Sequence, residues 1–173
     1  GEGSEEILLK SGQPKMPTDW SPDGRYIAYF TQRPFDIWIL PINPSGQGNE
    51  LKPFAFLQTE FNEMRPAFSP DGRWIAYQSD ELGRDEIYIR PFPGPGGKWQ
   101  VSTAGGSRPR WRGDGKELFF MGTDFRLMSA QINLGISSVQ VGAVQTLFDI
   151  GFVATASFSR DFYDVTRDGQ RFL

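Results

Sequence analysis

One five-residue phrase recurs four times along the chain and limits its fold more than any other feature. Trp20-Ser-Pro-Asp-Gly24 is followed by Phe68-Ser-Pro-Asp-Gly72, Trp111-Arg-Gly-Asp-Gly115 and Val165-Thr-Arg-Asp-Gly169. Successive Asp-Gly pairs lie 48, 43 and 54 residues apart. Self-similarity at a period of about 20 to 50 residues marks a repeat architecture, in which one small unit is copied and stacked.

The phrase itself reads as a hairpin turn. Pro22 and Pro70 preset φ at the first turn position. Asp23, Asp71, Asp114 and Asp168 supply an Asx-type hydrogen bond, and Gly24, Gly72, Gly115 and Gly169 take the positive-φ position. A short strand carrying one large apolar residue precedes each turn. After it come Tyr26–Tyr29, Trp74–Tyr77, Glu117–Phe120 and Arg171–Leu173, β-branched and aromatic runs suited to strands buried on both faces. A third strand follows in three repeats, at Asp36–Leu40, Glu86–Arg90 and Arg126–Ala130. A fourth, more polar one comes at Lys52–Leu57, Lys98–Ser102 and Val144–Phe148, as an outer edge requires.

Each repeat is therefore a four-stranded meander of roughly 45 residues, the size of a propeller blade. No segment carries a convincing helical period. The prediction is an all-β fold, a β-propeller of four-stranded antiparallel blades, with three complete blades and one split or incomplete blade. The blades span 17–57, 65–102 and 108–148, the partial blade spans 162–173, and residues 5–10 take the place of a fourth strand. All belong to a single domain or segment, 1–173. Trp20, Phe68 and Trp111 are expected to pack between blades. The sequence starts on the last strand of one blade and stops after the second strand of another. Strand 5–10 is expected to complete the blade at 162–173, within one chain or between two chains of a homodimer.

Trp20-Ser-Pro-Asp-Gly-Arg-Tyr-Ile-Ala28 with Asp36-Ile-Trp38, and Phe68-Ser-Pro-Asp-Gly-Arg-Trp-Ile-Ala76 with Glu86-Ile-Tyr88, resemble WD-repeat-like blades of the TolB type. Gly83–Pro93, Lys98–Ser102 and Arg110–Leu118 are similar to the C-terminal propeller of bacterial membrane-anchored serine/threonine kinases. The resemblance covers nearly the whole chain. It implies a periplasmic or extracytoplasmic sensor or scaffold module of a larger bacterial protein. The kinase's own His-Arg-Asp, Asp-Phe-Gly and Gly-rich-loop motifs are absent, so phosphoryl transfer is not implied. The third repeat departs from the pattern at Arg112 and Gly113, the fourth at Thr166 and Arg167.

Composition removes several function classes. The chain has no histidine and no cysteine, so Ser-His-Asp and Cys-His nucleophiles and ordinary zinc sites cannot be assembled. A net charge of −3 offers no concentrated basic face for nucleic acid. Apolar stretches such as Ile37–Leu40 are far shorter than the ~20 residues of a membrane-spanning helix, so no direct membrane insertion is expected. The acidic Gly1–Glu6 segment does not resemble the basic opening of a signal peptide.

The remaining candidates have bland alternatives. The four turn aspartates suggest a metal ring, but turn formation already explains them, and no metal or cofactor is expected. Gly94-Pro-Gly-Gly97 has no helix after it to hold a phosphate. Asp85 and Glu86, as strand neighbours, point to opposite faces and fail as a glycosidase pair, and Glu60 and Glu63 read as solvated charge. Arg108, Arg110 and Arg112 alternate along an inner strand. Asp19 and Asp164 at aligned positions can pair with Arg110, and an anion- or peptide-binding role at the channel mouth competes with that reading. The ligand-binding candidates are Asn62, Glu63, Arg65, Arg108 and Arg110, on the loops before the inner strands.

The expected function is a non-enzymatic binding or protein-interaction module whose partner is a protein or peptide, or a small anionic ligand. The rivals are an accessory substrate-gating propeller of a hydrolase and a structural propeller fragment that self-assembles.

Overall fold

In the computed structural model the Asp-Gly turns close four hairpins, and the three complete repeats around them are four-stranded antiparallel meanders. The structure describes residues 9–10, 12–42, 52–150 and 163–173. The first sheet is β1 (Lys15–Trp20), β2 (Tyr26–Thr31), β3 (Ile37–Pro41) and β4 (Phe54–Leu57). The second is β5 (Glu63–Phe68), β6 (Trp74–Ser79), β7 (Glu86–Pro91) and β8 (Trp99–Gln100). The third is β9 (Ser107–Trp111), β10 (Glu117–Met121), β11 (Arg126–Leu134) and β12 (Val139–Asp149). Strand order follows chain order in every sheet, with β1, β5 and β9 innermost.

The turns explain why the repeats fold locally. Ser21 Oγ donates to Asp23 Oδ1 and accepts from the Tyr26 amide, while Asp23 Oδ1 also accepts the Arg25 amide. Ser69, Asp71, Arg73 and Trp74 repeat the same bonds. In the third repeat the serine is gone, and the Arg112 guanidinium takes over the turn aspartate through Asp114 Oδ1 at 2.9 Å. The glycine ending each turn has φ between +69° and +73°, where a Cβ is unfavourable.

Sheets stack face to face through apolar side chains. Phe30, Ile37 and Leu57 meet Tyr77 and Tyr88, and Ala28 and Ile39 meet Phe68 and Ile75. The larger cluster joins Trp74, Ala76, Ile87 and Ile89 of the second sheet to Trp111, Leu118, Phe120 and Ile132 of the third. All six positions of β6 are buried, because both its faces are covered. The third sheet's far face packs Phe119 and Leu127 against Tyr163, Val165 and Phe172. This is a propeller-like arrangement of three sheets.

Several expectations need correction. Trp20 is 53% exposed, whereas Phe68 and Trp111 are buried, so only two of the three equivalent aromatics pack between sheets. Trp111 reaches back onto the preceding sheet, and no described sheet precedes the first. The third and fourth strands of the last full repeat run longer than expected, to Leu134 and Asp149, with β12 bulged near Gly142 and Leu147. The terminal repeat is reduced to one bridge, Val165 with Phe172. Residues 5–8 and 162 lie outside the described residues, while Leu9 and Lys10 are not in a strand. No helix among the described residues is long and apolar enough to cross a membrane.

Candidate functional site

The innermost strands bring their polar residues to the axis in two groups, one where these strands begin and one where they end. The predicted residues divide between them. Glu63, Arg65, Arg108 and Arg110 lie within β5 and β9 and not on the loops before them. Only Asn62 is a loop residue, held by Asp80, which accepts its backbone and side-chain N–H groups.

At the beginning of the strands, Glu63 is 2% exposed and its amide donates to the Phe35 carbonyl at 2.7 Å. Thr59 Oγ1 donates to Glu63 Oε1, but among the described residues Oε2 has no hydrogen-bond partner, and neither has Asp36 Oδ1. Burial pushes the Glu63 carboxyl above its usual range; the Thr59 bonds oppose this, and the charges of Asp36 and Asp80 add to it. Arg65 is buried, with φ of +54°, and Arg108 has φ of +56°. Both precede a proline, at the bulges of β5 and β9. Asp85 belongs to the same group: burial raises its pKa, opposed by a hydrogen bond from Gln78 and by the charges of Arg108 and Arg65. Tyr163 Oη donates to the Arg108 carbonyl at 2.6 Å, tying the terminal repeat to β9.

Arg110 is placed elsewhere. Its Nε lies 3.9 Å from Asp164 Oδ1. Its charge also lowers the pKa of Asp19, which burial raises first and the amides of Phe68 and Trp20 lower next. The salt-bridge reading of Arg110 therefore describes its surroundings. These groups line a concavity of about 840 Å³ where the inner strands end. Thr18–Trp20, Ala67–Phe68, Arg110–Trp111 and Asp164–Val165 form its wall.

Sequence reasoning missed Asp80 and the buried Asp36 as members of these groups. It weighed Asp85 and Glu86 only as a carboxylate pair, which it set aside, and read Glu63 as solvated charge, whereas Glu63 and Glu86 are buried and Asp85 is half-buried. Glu86 heads β7 and accepts from the Ser102 hydroxyl, the Gly105 amide and the Arg84 guanidinium. It anchors the connection into β9. Among the described residues, no group of three acidic side chains has the geometry to hold a metal ion.

No protein-family model matches the chain. It is 26% identical over 155 residues to an uncharacterised protein of Agrobacterium fabrum, covering 86% of this chain and 51% of that one. A candidate TolB from Agrobacterium tumefaciens superposes with a TM-score of 0.60 at 21% identity, covering 80% of this chain and 52% of that one. A candidate 6-phosphogluconolactonase from Bacteroides uniformis gives 0.59 at 18% identity, with coverage of 92% and 46%. The likeness to the solved structures is one of fold, and the fold is TolB-like. The chain spans about half the length of the proteins it matches.

Proposed function

We propose that this chain is a non-enzymatic polypeptide-binding module of propeller type, with blades at 17–57, 65–102 and 108–148 and an incomplete blade at 162–173. The pair Arg65 and Arg108 carries this reading. Each holds a left-handed backbone directly before a proline, where an L-residue is normally extended. Such a conformation costs about 1–3 kcal/mol and persists only when its surroundings enforce it. Its recurrence at equivalent places beside Asp85 argues that the placement of these guanidinium groups matters.

In this reading the half-buried Arg108, where the inner strands begin, and Arg110, in the concavity where they end, each contact an acidic side chain or terminal carboxylate of the partner, or a small anion. Asn62 and the buried Glu63 and Arg65 hold the shape of the mouth. The resemblance to kinase-associated propellers supports a sensor or scaffold role in an extracytoplasmic setting. The lack of histidine and cysteine supports the absence of turnover.

The test is fluorescence anisotropy against acidic and neutral labelled peptides, repeated with the Arg108→Ala/Arg110→Ala double variant. Binding of acidic peptides should weaken at least tenfold in the variant. Unchanged affinity in a folded variant, or turnover of peptides by the purified chain, would remove the proposal.

A further inference from the structure

The three sheets end outward in very different strands. β4 has four residues and follows closely on Lys52-Pro53. β8 has two residues and follows Lys98, with Pro93 and Pro95 just upstream. Short length, lysine and proline are the means by which natural sheets keep an outer edge from pairing with another chain. β12 has 11 residues and contains neither lysine nor proline. From Leu127 to Phe148, 22 consecutive residues carry no charge and no proline.

Among the described residues β12 is paired on one side only, with β11. It is the outermost strand of its sheet, and propeller sheets stack around the axis through their faces, so a further sheet in the array would not cover this edge. Val139 and Val141 turn into the cluster between the second and third sheets and anchor the start of the strand. Every residue from Gly142 to Asp149 is exposed, Val144 by 43% and Leu147 by 36%. The Phe148 ring is engaged by Phe172 at 5.4 Å. The bulges near Gly142 and Leu147 each interrupt the ladder and leave Val144–Thr146 as the regular stretch between them, opposite Met128–Ala130 of β11.

We propose that β12 is a dimerisation edge, pairing antiparallel with β12 of a second copy about a two-fold axis at Gln145. Charge selects the second copy. A strand paired with its own copy sets any charge near the axis against itself, and like charges directly opposite are destabilising; this strand has none before Asp149. The same neutrality gives a charged foreign strand nothing to recognise. With Gln145 on the axis, Val144 of each copy faces Thr146 of the other, both β-branched. Leu147 then falls opposite Ala143, and Asp149 opposite Val141, away from its own counterpart. Such pairing uses the edge of both copies, so assembly closes at the dimer. One strand pair is small among specific interfaces, and a weak dimer is expected, dissociating between about 10 μM and 1 mM. The edge lies on the rim and uses neither the Arg108 group nor the concavity where the inner strands end, so it stands independently of the polypeptide-binding reading.

The test is sedimentation of the full chain from about 10 μM to about 1 mM, across the expected dissociation range. Wild type should pass from monomer to dimer. Gln145 is exposed, and Gln145→Lys and Gln145→Glu each place a charge against its own copy, so each alone should weaken the dimer about tenfold or more. Mixed in equal amounts, the two variants should restore a dimer containing one of each. A second measurement needs no variant: in wild type, the amides of Ala143–Leu147 should exchange with deuterium more slowly at the high concentration than at the low one. A wild type that stays monomeric throughout would leave the edge to another protein and overturn the proposal. A dimer that both variants leave intact, or one without slowed exchange at Ala143–Leu147, would place the interface elsewhere and overturn it. Failure of the mixed variants to associate would overturn the two-fold pairing at Gln145, as would growth of wild type beyond a dimer that both variants abolish.

Discussion

Trp111 and Trp20 occupy the same place in two copies of one phrase, yet one is a buried structural bolt and the other is 53% exposed. Trp111 packs into the cluster between the second and third sheets, and its indole N–H ends on the Ala67 carbonyl. Trp20 stands at the same distance before its Asp-Gly turn but has no described sheet on the side where its ring would dock. The residue type is set by the repeat, while its energetic role is set by whether a neighbouring inner strand is there. A tryptophan in a repeat protein is therefore structural or available according to its position in the array.

The sharpest way to break this comparison is to truncate each ring. Trp111→Ala should destabilise the chain by about 3–5 kcal/mol, as large-to-small changes in a packed core do. Urea melts showing a loss below about 1 kcal/mol would mean that the second and third sheets do not depend on this contact. A smaller effect is expected from the neighbouring inter-strand bond: Thr18→Val, which keeps the shape but removes the donor to Pro66, should cost about 1 kcal/mol. A double-mutant cycle with Trp111→Phe should show a coupling of about 0.5 kcal/mol or more, since the two bonds end on adjacent residues of β5.

Glu63 extends the comparison to buried charge. Its carboxyl is raised above its usual range chiefly by burial, so the folded state binds the proton more tightly than the unfolded chain. Stability from this group is therefore fully present below the unfolded pKa and falls as pH rises through the folded one. Glu63→Gln should raise the thermal midpoint modestly at pH 7 and leave it nearly unchanged below pH 4. Thermal melts across pH in which the two proteins never diverge would contradict the charged, poorly partnered state of Glu63. The smallest effect belongs to Trp20→Ala, expected within about 0.5 kcal/mol of wild type as for exposed sites. A loss as large as that of Trp111→Ala in the same melts would make Trp20 structural and erase the contrast.

Strand starts were legible where local chemistry is complete, at Tyr26, Trp74 and Glu117, while the ends run one or two residues beyond those expected. Ser-Pro-Asp-Gly carries its own hydrogen bonds, and the runs after it are apolar on both faces, so β2, β6 and β10 could be placed from the chain alone. Outer strands were harder to bound. β12 runs well beyond the polar stretch expected of it, because length at an edge depends on bulges and on the partner strand, β11. The mouth was legible only as a list of residues. Asn62, Glu63, Arg65 and Arg108 do gather where inner strands begin, but Arg110 belongs to the concavity at their other end. Asp80 joined the group unannounced, and Asp85 had been weighed only as a partner of Glu86, since a loop's destination is set by the sheet register and not by its own residues.

The sequence by itself determined the repeat, the turns, the strand order within each unit and the absence of histidine and cysteine chemistry. Each of these follows from short-range preferences or from composition, which the chain carries wherever it is placed. Tertiary structure alone decided which equivalent aromatic is buried, which carboxylates lack a partner, and that peptide bond 67–68 is held from both sides. Those outcomes depend on which strands stand side by side, and neighbours come from residues more than 40 positions apart. Burial and hydrogen bonding are properties of such pairs, so no single repeat contains the information that separates Trp111 from Trp20.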